Sequence, residues 1–188
     1  MAQTGPNSET RRLGVSIELK PHAYDPATMP ELFDGVLARR IVAFVIDLIV
    51  LSIPILFLSA FIFIIGVVTL GFGFLLYALL SPVMVLWALF YYGITLGSAR
   101  SATLGMRAMD LEMRTWYGAP AYFVLGAVHA IVFWIAVSVL TPLVLLVCLF
   151  NDRRRCLHDI LVGTVVINNE VRASTLRAAR GPFRRFSA

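Results

Sequence analysis

Six side chains in this sequence could carry charge or protons within an otherwise apolar chain: Arg40, Asp47, Arg107, His129, His158 and Asp159. Asp47 is the most informative. Between the pair Arg39-Arg40 and Arg100 it is the only ionisable side chain, tyrosines apart, in a run otherwise suited to hydrocarbon. A carboxylate facing lipid costs on the order of 3 kcal/mol even on lenient insertion scales, so it turns toward protein or water and has a partner. Arg40 precedes it by about two helical turns, which places the two on one face with Asp47 roughly 10 Å deeper. That is too far for a direct ion pair, and another polar group must come to Asp47. A desolvated carboxylate there could exchange H⁺ for a small cation such as Na⁺. The alternative is architectural: an interhelical hydrogen bond or ion pair that locks the helix.

His158-Asp159 suggests catalysis or metal binding by residue type, but no nucleophile, second nearby histidine or cysteine cluster accompanies it. The reading is therefore no catalytic residue, no cofactor and no metal set. Instead Asp159 accepts from backbone amides or an arginine while His158 sits at the interface. His129, alone in an apolar run, is either a proton relay with Asp47 or a neutral imidazole bonded to a backbone carbonyl. Arg40 either gates a pathway or snorkels to phosphate. One intermediate arrangement has Arg107, His158 and Asp159 converging beneath Asp47.

The elements that must position these groups are membrane segments. The 188 residues are 59% hydrophobic with mean hydropathy +0.83, outside the range of a soluble domain and incompatible with a soluble enzyme. Fifteen of the 16 basic residues are arginine and they flank the apolar runs, which argues against a nucleic-acid partner and for anionic lipid headgroups. Residues 1–34, polar and proline-rich, read as a disordered tail with Leu32 and Phe33 dipping toward the acyl boundary, and not as a signal peptide. Apolar segments follow at about 40–65, 72–95 and 121–150, the first holding Pro54 as a kink and the first two separated by a glycine-rich turn at 66–73. Trp87, Tyr91 and Tyr92 read as an interfacial belt. Period-2 alternation over 109–114 predicts a short strand, and the β-branched run 160–167 predicts its partner. Residues 169–188 read as a basic disordered tail. The two cysteines, Cys148 and Cys156, suggest no disulfide framework.

Arginines precede the first segment, fill the 100–114 loop and crowd the C-terminus, including Arg153, Arg154 and Arg155, read with Arg39 as determinants of topology and lipid contact. The positive-inside rule wants all three regions cytoplasmic. The third run is too short for two spans, so it is expected to bend or re-enter near Ser138 to Pro142, returning the C-terminus to the cytoplasmic side.

Three blocks then carry a resemblance: Arg39-Arg40 through Asp47; Ser101-Ala102-Thr103-Leu104-Gly105-Met106-Arg107-Ala108-Met109-Asp110; and Cys156-Leu157-His158-Asp159 through Gly163-Thr164-Val165-Val166. In this order they resemble the RDD family of small multi-pass membrane proteins, widespread in bacteria, over residues 35–168. Met106 stands where the family often has a lysine. The resemblance implies an all-α integral membrane fold in the inner membrane with a cytoplasmic N-terminus. Some relatives are associated with sodium/proton exchange and others with membrane assemblies. The expected fold is thus three long apolar segments plus a small cytoplasmic loop and strand element. The expected function is a small cation/proton transporter with Asp47 as carrier, working as a homo-oligomer, or else a non-catalytic membrane scaffold or assembly partner.

Overall fold

The computed structural model describes residues 22–140 and 143–181, without side chains over 140–146. Its elements in chain order are α1 (Val36–Val68), α2 (Tyr77–Leu96), α3 (Leu104–Ala108), β1 (Leu111–Thr115), α4 (Phe123–Leu140), α5 (Leu143–Phe150), α6 (Leu157–Val162), β2 (Thr164–Asn168) and α7 (Glu170–Arg180). Two of these helices, α1 and α2 with the turn before it, are long and apolar enough to cross a membrane.

α1 extends beyond the expected segment at both ends and continues through Pro54. At about 1.5 Å per residue its 33 residues span about 50 Å, well over the roughly 30 Å of a hydrocarbon core. Its far half offers Leu56, Phe57 and Phe61 outward, exposed. The glycine turn closes at Thr69, whose hydroxyl donates to the Ile65 carbonyl at 2.7 Å and accepts from the Gly73 amide at 2.7 Å. α2 then runs back beside α1.

The charged side chains of the described residues gather toward the opposite end. α3, a turn of helix unseen in the residue pattern, is capped by Thr103, whose side chain accepts from the Met106 amide. β1 and β2 pair antiparallel, Leu111 opposite Asn168 and Thr115 opposite Thr164. The strand begins later than the expected 160–167 because Ile160 to Val162 belong to α6. Asp159 and Cys156 form a capping box that starts that helix, and Gly163, at φ +72°, ends it.

The tails are corrected in part. Residues 1–21 of the expected disordered tail lie outside the described residues, but Leu32 and Phe33 are buried against Val165, Ile167 and Ala173 in a small core of their own and do not reach for lipid. Asn168 holds this segment by donating to the carbonyls of Glu31 and Asp34. Residues 170–180 are helical, capped by Asn169, with Arg177 and Arg180 paired to Glu31 and Asp34. The expected break at 138–142 falls largely on residues whose description is incomplete, 141 and 142 lying outside it. The helices on either side both lead to one end: His129 and Phe133 of α4 touch His158 of α6, and Cys148 of α5 is disulfide-bonded to Cys156. That disulfide corrects the sequence expectation, since the return of the chain brings together two cysteines whose spacing alone does not pair them.

The closest approach in the fold is α3 on α1. A Cβ on Gly105 would lie 2.0 Å from the Ala43 carbonyl oxygen and 2.9 Å from the Asp47 carboxyl carbon. Backbone cannot yield as a flexible side chain does, so Gly105→Ala is expected to cost about 3 kcal/mol, read as a large fall in thermal midpoint in detergent.

Candidate functional site: two buried carboxylates at the mouth of the first helix

Asp47, 4% exposed, meets donors from two other elements. Tyr91 of α2 donates its hydroxyl to Oδ1 at 2.5 Å, the Gly105 amide donates to the same oxygen at 2.8 Å, and the Thr103 hydroxyl donates to Oδ2 at 2.6 Å. No cationic side chain pairs with it among the described residues. The two hydroxyls and the amide all donate, so both carboxyl oxygens have partners in this buried site. Tyr91 and Thr103 are the site residues the sequence reading missed. Tyr91 reads as interfacial belt in the sequence, yet it and Tyr92 are buried. Thr103 lies within the quoted Ser101 to Asp110 block, where its N-cap position was the available signal.

Arg107 does not join Asp47. Its guanidinium donates to the Ala102 carbonyl at 3.0 Å and to the Ser98 hydroxyl at 2.8 Å, bracing the loop that carries α3. The expected convergence of Arg107, His158 and Asp159 beneath Asp47 is replaced by two separate centres, because the α3 backbone occupies the place beside Asp47.

The second centre forms around Asp159, fully buried. Arg40 donates to its Oδ2 at 2.6 Å, and the Cys156 amide donates to that oxygen at 2.9 Å. The other oxygen, Oδ1, lies 3.5 Å from His158 Nε2 and 3.7 Å from His129 Nε2 and has no hydrogen-bond donor among the described residues. His129 Nδ1 is 3.3 Å from the Thr164 hydroxyl. Burial opposes ionisation of Asp159, but the Arg40 charge overrides it and holds the carboxyl well below the usual range. Burial pushes His158 down to about 3 against the pull of Asp159, so its imidazole is neutral near pH 7 and the ion pair is Arg40 with Asp159. His129, expected beside Asp47 or on a backbone carbonyl, belongs to this centre.

Of the expected lipid-facing arginines, Arg155 is corrected: it is buried, donates to the carbonyls of Thr164 and Asp159 at 2.8 Å each, and lies over the Trp116 ring at 4.8 Å. Arg39 donates to the Met109 carbonyl, Arg153 to that of Tyr24 and Arg154 to that of Leu149. Their charges bind loops together at this end. Both centres border one cavity of about 460 Å³ between α1 and α4, its walls mostly apolar, with Ala43, Phe44 and Phe133 beside Arg40, Asp47 and His158.

Two substitutions at Asp47 are expected to differ in cost. Asp47→Asn keeps an oxygen for Tyr91 and Gly105 and turns its amide toward a Thr103 hydroxyl able to accept, so a loss of about 1–2 kcal/mol is expected. Asp47→Leu strands all these donors and is expected to cost more than about 4 kcal/mol. Chemical or thermal unfolding in detergent reads the difference; equal losses would mean that charge itself holds the site.

A family model for the RDD family matches residues 35–163, covering α1 through the end of α6 and thus both centres. No curated protein and no solved structure matches the chain. The matched span takes in most of the sequence, and the chain belongs to the RDD family.

Proposed function

We propose that this RDD protein is a polytopic scaffold of the bacterial inner membrane, whose polar centres hold a compact cytoplasmic face for assembly with other membrane subunits. The observation that carries this reading is Asp47: its carboxylate is fully engaged by Tyr91, Thr103 and the Gly105 amide, groups fixed by helix packing. An ion carrier must exchange its partner during each cycle, and a carboxylate whose ligands are fixed backbone and buried side chains serves better as a lock. The outward faces of α1 and α2, with Phe57, Phe61, Leu79 and Val85 exposed, leave room for lipid, a second copy or a partner subunit.

A second reading, cation/proton transport, draws on a different observation. Asp159 Oδ1 faces His129 and His158 beside the cavity with no donor among the described residues, so a proton or cation site is better sought there than at Asp47. One experiment separates the two. In liposomes, Na⁺-dependent proton flux is expected to equal that of protein-free vesicles for the wild type and for Asp47→Asn. Flux in the wild type that disappears in a folded Asp159→Asn variant would replace the scaffold with a transporter.

Orientation follows from the arginines. The N-terminus of α1, the 97–121 loop and residues 151–181 share one end of the molecule, and the positive-inside rule assigns that end to the cytoplasm. α4 and α5 then enter the membrane and return. Trypsin is expected to cleave the arginine-rich C-terminus in inverted vesicles and to leave it intact in spheroplasts; the reverse pattern would make the third run a full crossing.

A further inference from the structure

We propose that His129 Nε2, His158 Nε2 and Asp159 Oδ1 form a three-ligand site for a divalent first-row transition metal ion, of the Zn²⁺, Fe²⁺ or Co²⁺ class. The ligand atoms come from α4 and α6, and all lie within 4.8 Å of one another. Oδ1 sits 3.5 Å from one imidazole nitrogen and 3.7 Å from the other. Ligands at about 2.1 Å from a metal stand roughly 3.0–3.4 Å apart, so the two Asp159 edges need to close by about half an ångström and the widest edge by up to about 1.4–1.8 Å.

The carboxylate is divided in the way a ligand requires. Oδ2 is taken by Arg40 and the Cys156 amide, while Oδ1, fully buried and without a donor among the described residues, points at the two imidazoles. Leaving such an oxygen unmatched in a buried site is unfavourable, and a bound metal would satisfy it. His129 has the outer contact a metal-bound histidine uses: its Nδ1 faces the Thr164 hydroxyl at 3.3 Å, which can accept from Nδ1–H in the tautomer that leaves the Nε2 lone pair free for a metal. Two imidazoles and one carboxylate favour these ions over Mg²⁺ or Ca²⁺, which prefer oxygen. Remaining coordination positions open toward the α1–α4 cavity, where water or a ligand oxygen completes the shell.

Arg40 sets the limit on affinity. Its Nη2 is 3.4 Å from His158 Nε2 and shares that lone pair, so metal entry displaces this contact and places two cations near each other. The site is therefore weaker than the same ligands without the arginine, and Arg40→Gln is expected to bind metal more tightly. The inference is independent of whether the protein is a scaffold or a transporter, since binding is measured without flux.

The test is Co²⁺ titration of the untagged, chelator-stripped full chain in detergent, followed by visible d–d absorption and by metal analysis after gel filtration. The expected result is one Co²⁺ per chain, competed by Zn²⁺. His129→Ala, which leaves the Arg40–Asp159 pair intact, is expected to lower affinity by at least about tenfold and alter the spectrum, and Thr164→Val to lower it by about tenfold. Absence of stoichiometric Co²⁺ in the wild type overturns the proposal. So does a folded His129→Ala protein, judged by an unchanged helical circular-dichroism spectrum, that binds Co²⁺ as the wild type does.

Discussion

A carboxyl group buried inside the first helix is the constraint from which the rest of this end of the molecule follows. In a low-dielectric interior a carboxylate without donors costs several kcal/mol, and α1 itself has none to offer because its own amides are used within the helix. The donors have to arrive from elsewhere, and their arrival specifies the neighbours. α3 brings one free amide of its first turn, that of Gly105, directly onto the carboxylate, while the Leu104 amide donates to the Tyr91 hydroxyl. Only a residue without a Cβ lets that turn lie against the Ala43 carbonyl, so Gly105 is dictated by the geometry of the hydrogen bond. Thr103 serves twice, accepting from the Met106 amide and donating to Asp47. Tyr91 completes the set from α2, which ties helix pairing to the same carboxyl group.

Asp159 meets the same demand by another means. It starts α6 through the Cys156 amide and draws Arg40 from the mouth of α1, so one carboxylate couples a helix cap to an ion pair between distant parts of the chain. Buried ion pairs gain little net stability, because desolvating both charges offsets much of their attraction. Their value here is positional: together with Asn168, which donates to the Glu31 and Asp34 carbonyls, the Arg40–Asp159 pair places α6, and with it β2, against the start of α1. Arg155 extends this by binding carbonyls on both sides of α6 while stacking on Trp116.

How much of this can be read from residues alone follows from which signals are local. The apolar runs, the 66–73 turn and the β1–β2 pairing are legible because periodicity, glycine content and β-branching act over a few residues. The need for a partner at Asp47 is legible too, since its cost is a property of the site. The partner is not, because Tyr91 and Thr103 become donors only once α2 and α3 fold against α1. α3 itself is five residues long, too short for a period, and its only mark is a Thr N-cap followed by glycine. α7 was hidden by composition: its arginines look like a disordered basic tail until Asn169 caps the helix and Glu31 and Asp34 balance them. Likewise a histidine at 129 and a His-Asp pair at 158 and 159 are unremarkable apart, and α4 packing on α6 makes them one cluster.

The cavity between α1 and α4 is a consequence of the same arrangement. α2 packs closely on α4, with Gly126 against the Tyr92 carbonyl and Gly93 and Gly97 beside Phe123, and α1 rests on α2 and α3. Small residues let those backbones approach, and no equivalent small-residue seam joins α1 to α4. Phe44 of α1 and Phe133 of α4 meet with ring centroids 5.6 Å apart at the cavity wall, which Arg40 and His158 also line. Closing the cavity would bring apolar side chains onto a charged group that already needs every donor it has. The packing around the two centres leaves this cavity between the two helices, and any ligand of this domain that enters it meets Arg40, Asp47, His129 and His158.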